Sequence, residues 1–392
     1  MTAIPSFTGD AQPYGGGDPY ADYRTAEFPF TRYEDLADRR LGASVVAAND
    51  EFFAPRENLL VPGPAVFDPA LFGHKGKVMD GWETRRRRGA SAGHPWPTAD
   101  DHDWALVRLG APGVIHGIVV DTAHFRGNHP QAVSVEGVTV PGAPSPEELL
   151  AADTRWTTLV PRTPVGGHAA NGFAVSSPRR FTHLRVNQHP DGGIARLRVY
   201  GEVVPDPVWI GALGTFDVVA LENGGRVEDA SDRFYSPAAH TIQPGRARRM
   251  DDGWETRRRR DRGNDWIRYR LAAQSEIRAI EIDTAYLKGN AAGWASVSVR
   301  DTGDAGDGAG QEGGEVGGGG ENGGGGEWTE ILPRTRLQPD TGHRFVLGTP
   351  AVGTHVRLDI HPDGGVSRLR LHGSPTPRGA ARLGARFQES GG

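Results

Sequence analysis

Asp80-Gly-Trp-Glu-Thr-Arg-Arg-Arg-Arg88 returns unchanged as Asp252-Gly-Trp-Glu-Thr-Arg-Arg-Arg-Arg260. Outward from this pair the repetition continues. His102-Asp-Trp104 answers to Asn264-Asp-Trp266, Asp121-Thr122 to Asp283-Thr284, and Gly127-Asn128 to Gly289-Asn290. Pro161-Arg-Thr163 matches Pro333-Arg-Thr335, and His189-Pro-Asp-Gly-Gly193 matches His361-Pro-Asp-Gly-Gly365. Internal repetition fixes an architecture before any element is assigned, and this spacing is far too long for a solenoid. The chain reads as two copies of one domain.

The spacing between copies stays constant within each motif block and jumps between blocks, as when loops change length and strands do not. One jump falls in the Gly/Pro/Ala-rich stretch Gly89–Asp101. Another falls in Asp301–Glu327, where 14 of 27 residues are glycine. Such a tract buries too little apolar surface to offset its ordering entropy, so a disordered loop inside copy 2 is expected. The expected organisation is a flexible N-terminal extension (1–28), repeat 1 (29–203), a linker (204–211), repeat 2 (212–374) and a C-terminal tail (375–392).

Composition narrows the function classes. The net charge of −5 argues against nucleic acid as the main partner despite the arginine runs. No stretch approaches the length of a membrane-spanning helix, and the polar, Gly/Pro/Tyr-rich start lacks the pattern of a signal peptide. No membrane partner is expected, and a cytoplasmic location fits. With no cysteine there is no disulfide, thiolate nucleophile or Cys-based metal site.

Each copy reads as short strands separated by Gly/Pro/Asn/Asp turns, the pattern of an all-β sandwich. In copy 1 the expected strands are Ser44–Ala48, Trp104–Leu109, Val114–Asp121, Ala132–Val140, Trp156–Val160, Phe181–Asn187 and Ile194–Gly201. Period-two alternation puts Leu197 and Val199 toward a core, with Arg196, Arg198 and Tyr200 facing out. Helical signals are confined to Tyr33–Leu41 and to Pro146–Ala152, the latter with Ser145 as its cap. The expected architecture is two tandem jelly-roll β-sandwiches of the galactose-binding-like kind. That fold alone does not give a function.

Five groups of residues could carry chemistry. On a strand, Arg85 and Arg87 would share one face, as would Arg257 and Arg259, and a face turned inward must meet carboxylates or a bound anion. The guanidinium fork suits a carboxylate or phosphate ligand. It suits equally a structural lattice with Glu83, Asp80 and Asp103. His-Pro-Asp-Gly-Gly must be a tight turn that presents His189 and Asp191, and His361 and Asp363, at one end of each sandwich. His189 and His361 are a histidine match between the copies. Asp50 and Asp232 precede an aromatic pair, Phe52-Phe53 or Phe234-Tyr235, that reads as core. Asn128 and Asn290 follow glycine in turns and could bond an amide-like ligand. His102, His124 and His129 are replaced in copy 2 by Asn264, Tyr286 and Ala291, so copy 1 carries more groups that titrate near neutral pH. No HExxH, DxDxDG or Gly-x-Ser-x-Gly pattern is present, and a divalent metal such as Mn²⁺ or Zn²⁺ is neither supported nor excluded.

The tandem DGWETRRRR, HDW, DTxxFxGN and HPDGGIARLRVYG blocks, together with AANDEFFAPRENLL of the first copy, resemble the allantoicase family, over about residues 30 to 373. The resemblance implies hydrolysis of allantoate to ureidoglycolate and urea in purine catabolism by a homo-oligomeric enzyme of tandem jelly-roll domains. Allantoate carries a carboxylate and two ureido arms on one carbon. The resemblance then implies carboxylate binding by Arg85 and Arg87 or by Arg257 and Arg259, and amide contacts from Asn128 and Asn290. Proton transfer falls to His189 or His361 with Glu83 or Glu255, supported by Asp50 and Asp191. A competing reading of the same residues is a non-catalytic tandem module that binds acidic sugars or small carboxylates.

Overall fold

The strand Asp103–Asp121 runs through both layers of the first repeat and organises it. Its first half pairs with Ser44–Ala48 and with the strand Arg180–His189; its second half pairs with Arg196–Val203 and Ala170–Ala174. Ala132–Val138 and Thr157–Pro164 extend the sheet beyond Arg180–His189. The sequence suggests two strands here because Gly110-Ala-Pro-Gly113 reads as a turn. Instead the chain bends there without leaving the ladder, and a Cβ on Gly113 would lie 2.2 Å from the Glu202 carbonyl oxygen. Only glycine fits that approach.

This computed structural model describes residues 28–303 and 327–391. The N-terminal extension before Phe28, and nearly all of the glycine-rich loop, lie outside the described residues. The chain divides into two units: one runs to Val204 and takes in Phe387 onward, and the other is Pro205–Arg386. The second unit has the same strand order around Asp265–Asp283. There a single strand, Gly342–His361, does the work of Ala170–Ala174 and Arg180–His189 together. Both repeats are all-β sandwiches, with every major pairing antiparallel.

Each core is closed by the tryptophan of the repeated motif. Trp82 and Trp254 are fully buried. Their indole N–H groups donate to the carbonyls of Asp50 (2.7 Å) and Asp232 (2.9 Å), which satisfies the one polar atom that burial would otherwise strand.

Four local expectations are corrected. The segment Tyr33–Leu41 is not a helix. It forms the short strand Glu34–Asp35 and a 3-10 turn Arg39–Leu41, because Asp35 and Asp38 accept the nearby N–H groups of Ala37 and Arg40. Arg196, Arg198 and Tyr200 do not face solvent: all three are buried. Arg196 donates to the carbonyl of Gly63 (2.9 Å) and to the Asp80 carboxylate (2.7 Å), and Arg198 donates to the carbonyl of Val61 (2.6 Å). The loop at 61–64 thus covers the polar face of that strand. The arginine run is not a strand, for pairing stops after Glu83. The aromatic pairs are not core: Phe52 and Phe53 are 42% and 37% exposed, and Phe234 and Tyr235 are 65% and 62% exposed.

The helix Pro146–Leu150 forms with the expected Ser145 cap, completed as a capping box by Glu148. A helix, Pro207–Leu213, capped by Asp206, begins in the stretch expected as a linker and ends beyond it, and the stretch expected as a tail contains the helix Pro377–Glu389. No described helix is long and apolar enough to cross a membrane.

Candidate active site

Three loops of repeat 1 are laced into one surface. Glu83 pairs with Gly193 and Trp82 with Ile194. Thr84 N–H donates to the Gly192 carbonyl (3.0 Å), Gly193 N–H to the Asn128 carbonyl (2.7 Å), and Gln131 N–H to the His189 carbonyl (3.0 Å). The His189–Pro190 peptide is cis, and Gly192 has φ +148°. A Cβ on Gly193 would stand 2.0 Å from the Phe125 ring. The two glycines therefore let the turn lie flat against segments 82–84 and 125–131, which brings Glu83, Asn128, His189 and Asp191 to one end of the sandwich.

The arginine run crosses this surface with alternating roles. Arg85 is held by Asp50 (2.6 Å), and Arg87 by Asp103 (2.7 Å) and Asp101 (3.4 Å). Bonds from Phe52 N–H and Arg85 hold the Asp50 carboxyl below the usual range even though burial works the other way. Asp191 accepts the Arg87 backbone N–H at 2.7 Å and pins the middle of the run to the turn. Burial raises its pKa, and the Arg87 bond opposes that rise. Arg86 and Arg88 are exposed, and neither makes a hydrogen bond or ion pair among the described residues. The Arg86 charge nonetheless reaches both Glu83 and Asp191.

Glu83 is the half-buried acid of the surface. Asn128 Nδ2 donates to its carboxylate at 2.8 Å. Burial pushes its pKa up, while the Asn128 bond and the Arg86 charge pull it back. His189 shares a 3.0 Å hydrogen bond between Nε2 and Ser134 Oγ, and its buried Nδ1 has no partner among the described residues. Burial, aided by the charges of Arg162 and His102, lowers its pKa to about 4, so the ring is neutral near pH 7. The His102 ring lies 5.4 Å from it, centroid to centroid. His102 Nδ1 is 2.8 Å from the Asp100 carbonyl. A carbonyl can only accept, so Nδ1 is the donor in this contact.

Repeat 2 keeps this frame and changes its contents. Glu255 pairs with Gly365, His361–Pro362 is cis, and Asp363 accepts the Arg259 N–H at 2.7 Å. Arg257 is held by Asp232 (2.7 Å), and Arg259 by Asp265 (2.8 Å) and Asp261 (2.9 Å). Asn290, however, donates to the Met250 sulfur (3.3 Å), and Asn264 to Asp359 (2.8 Å). His361 Nε2 is 3.4 Å from Ser296 Oγ, and burial lowers its pKa. Among the described residues no group of three or more His, Asp or Glu side chains is arranged to hold a metal ion.

Arg86, His102 and Ser134 complete the repeat 1 surface, and the sequence signals each of them only weakly. Arg86 is hidden inside a run of four identical letters, and His102 stands out solely as a difference between copies. Ser134 and its counterpart Ser296 lie in strands with no motif of their own.

The family model of the allantoicase repeat matches residues 34–204 and again 216–376. The chain is 77% identical over 386 residues to a probable allantoicase of Streptomyces avermitilis, covering 98% of this chain and 97% of that protein. It is 50% identical over 351 residues to one of Nocardia farcinica, covering 89% and 97%. The crystal structure of allantoicase from Saccharomyces cerevisiae superposes with a TM-score of 0.69 at 30% identity, covering 87% of this chain and 93% of that one.

Proposed function

The chain belongs to the allantoicase family and hydrolyses allantoate, and we propose that it does so on the repeat 1 surface that carries Glu83, Asn128, Arg86 and His189. The observation that carries this reading is the Glu83–Asn128 pair: a half-buried carboxyl oriented by an amide, within reach of the charge of Arg86, which has no ion pair or hydrogen bond among the described residues.

The reaction is (H₂NCONH)₂CH–COO⁻ plus water giving ureidoglycolate and urea. The bond between the central carbon and one ureido nitrogen breaks. That nitrogen gains a proton, and the carbon gains the hydroxyl of water. Arg86 takes the substrate carboxylate, because Arg85 and Arg87 are already held by Asp50, Asp103 and Asp101. Glu83, its carboxyl raised by burial, moves the proton to the departing nitrogen. Neutral His189 hydrogen-bonds a ureido arm or the water instead of delivering a proton as imidazolium. Asn128 positions Glu83, and Asp191 and Asp50 hold the arginine run in place. Turnover surviving intact in a folded Glu83→Gln variant would end this assignment.

We also infer cytoplasmic operation as a homo-oligomer. The two exposed aromatic pairs support an oligomer, since exposed apolar groups of this size mark contact surfaces. Light scattering on the purified chain tests it.

A further inference from the structure

We infer that the corresponding surface of repeat 2 is a second binding site, for a small carboxylate bearing a ureido group, that holds its ligand without turning it over. The inference rests on the repeat 1 reading above.

Three observations carry it. The anion-gripping half of the frame is intact: Arg257 and Arg259 are held by Asp232 and Asp265, while the exposed Arg258 between them has no ion pair or hydrogen bond among the described residues. Asp363 fixes the run to the turn through Arg259 N–H, as Asp191 does in repeat 1.

The proton-transfer half is dismantled. Asn290 is drawn to the Met250 sulfur, which leaves Glu255 without the amide that orients Glu83. Asn264, in the place of His102, is tied to Asp359 and offers no titratable nitrogen.

The third observation is a gain. The strand residue paired with the turn histidine is the buried Ala132 in repeat 1 and the 40% exposed Trp294 in repeat 2. The Arg336 guanidinium lies 5.6 Å from the Trp294 ring centre and holds the indole beside His361. An exposed indole paired with the turn histidine, in the frame whose Asp363 also fixes the arginine run, suits a ligand with a planar, amide-like arm and a carboxylate, the chemistry shared by substrate and product.

The test is calorimetric titration of the full chain with ureidoacetate, a stable compound with one ureido arm and one carboxylate. It is run on the wild type and on the Arg258→Ala, Trp294→Ala and Arg86→Ala variants, with urea release from allantoate measured in parallel. The inference expects two sites per wild-type chain. One site should remain in Arg258→Ala and in Trp294→Ala, with urea release kept within about twofold. One wild-type site, two sites surviving in both repeat 2 variants, or urea release falling together with the second site would overturn it. Full urea release by Arg86→Ala would overturn the repeat 1 reading and this inference with it, whereas a single wild-type site with Arg86→Ala inactive would overturn this inference alone.

Discussion

Asn128 donates its side-chain amide to Glu83 at 2.8 Å, whereas Asn290, at the same place in repeat 2, donates to the Met250 sulfur at 3.3 Å. Two copies of one frame thus differ in the contact that orients the glutamate carboxyl. The arginines diverge from their neighbours in the same functional sense. In both repeats the first and third of the run are locked to carboxylates, and the second makes no ion pair or hydrogen bond among the described residues.

Arg86→Ala should cost substrate affinity and Arg85→Ala should not. A charge-assisted contact to a carboxylate contributes about 1.5–3 kcal/mol, so kcat/KM for allantoate should fall about 10- to 100-fold in Arg86→Ala. Arg85→Ala removes the partner of Asp50 and should lower the melting temperature more than it lowers kcat/KM. Steady-state kinetics with thermal melts separates the two, and the reverse pattern would refute the division of roles.

Trp82→Ala should destabilise repeat 1 by about 3–5 kcal/mol, the range for removing a fully buried large aromatic from a core. The Asp50 carbonyl loses its indole donor in the same substitution. Urea-induced unfolding measures the loss, and a change below about 1 kcal/mol would show that this indole does not close the core.

Gly193→Ala should damage the site more than Gly127→Ala. A Cβ at Gly193 meets the Phe125 ring at 2.0 Å, while one at Gly127 meets nothing within 4 Å. The first should cost about 1–3 kcal/mol and displace the turn that carries His189; the second should be nearly neutral. Equal effects on stability would contradict the packing described for the turn.

Stability of repeat 1 should fall as the pH drops from 6.5 toward about 4. Burial lowers His183 and His189 from 6.5 to about 4, so between those values the unfolded chain binds more protons than the folded one. Their contribution is fully present above pH 6.5 and is lost as pH falls through the folded values. Asp35, raised by burial to about 6, works in the opposite sense below that pH, as do Glu83 and Asp191, also raised by burial, while His124, lowered by burial, adds to the two histidines. Proton NMR titration checks the cause directly, and either ring titrating near 6.5 in the folded chain would contradict it.

The repeats, the all-β class and the turn at His189 are legible in the sequence because motif identity, period-two alternation and Pro/Gly chemistry are local signals. What escapes it depends on partners far along the chain. Phe52 and Phe53 look like core, yet Asp50 bonds Phe52 N–H and Arg85, and the Arg85 guanidinium lies 5.6 Å from the Phe52 ring centre on the outside. Arg196 and Arg198 look exposed, yet the carbonyls of Val61 and Gly63 bury them. The arginine run shows an anion-binding capacity, but which arginine is unpaired depends on Asp50, Asp101, Asp103 and Asp191, spread over some 140 residues of chain.

The most direct test of the central claim is urea release from allantoate by Glu83→Gln and Glu255→Gln, each shown by circular dichroism to be folded. A general acid–base group contributes at least about 100-fold, so Glu83→Gln should lose that much kcat while Glu255→Gln stays within about twofold of wild type. Full activity in Glu83→Gln, or an equal loss in Glu255→Gln, would contradict a catalytic centre confined to repeat 1.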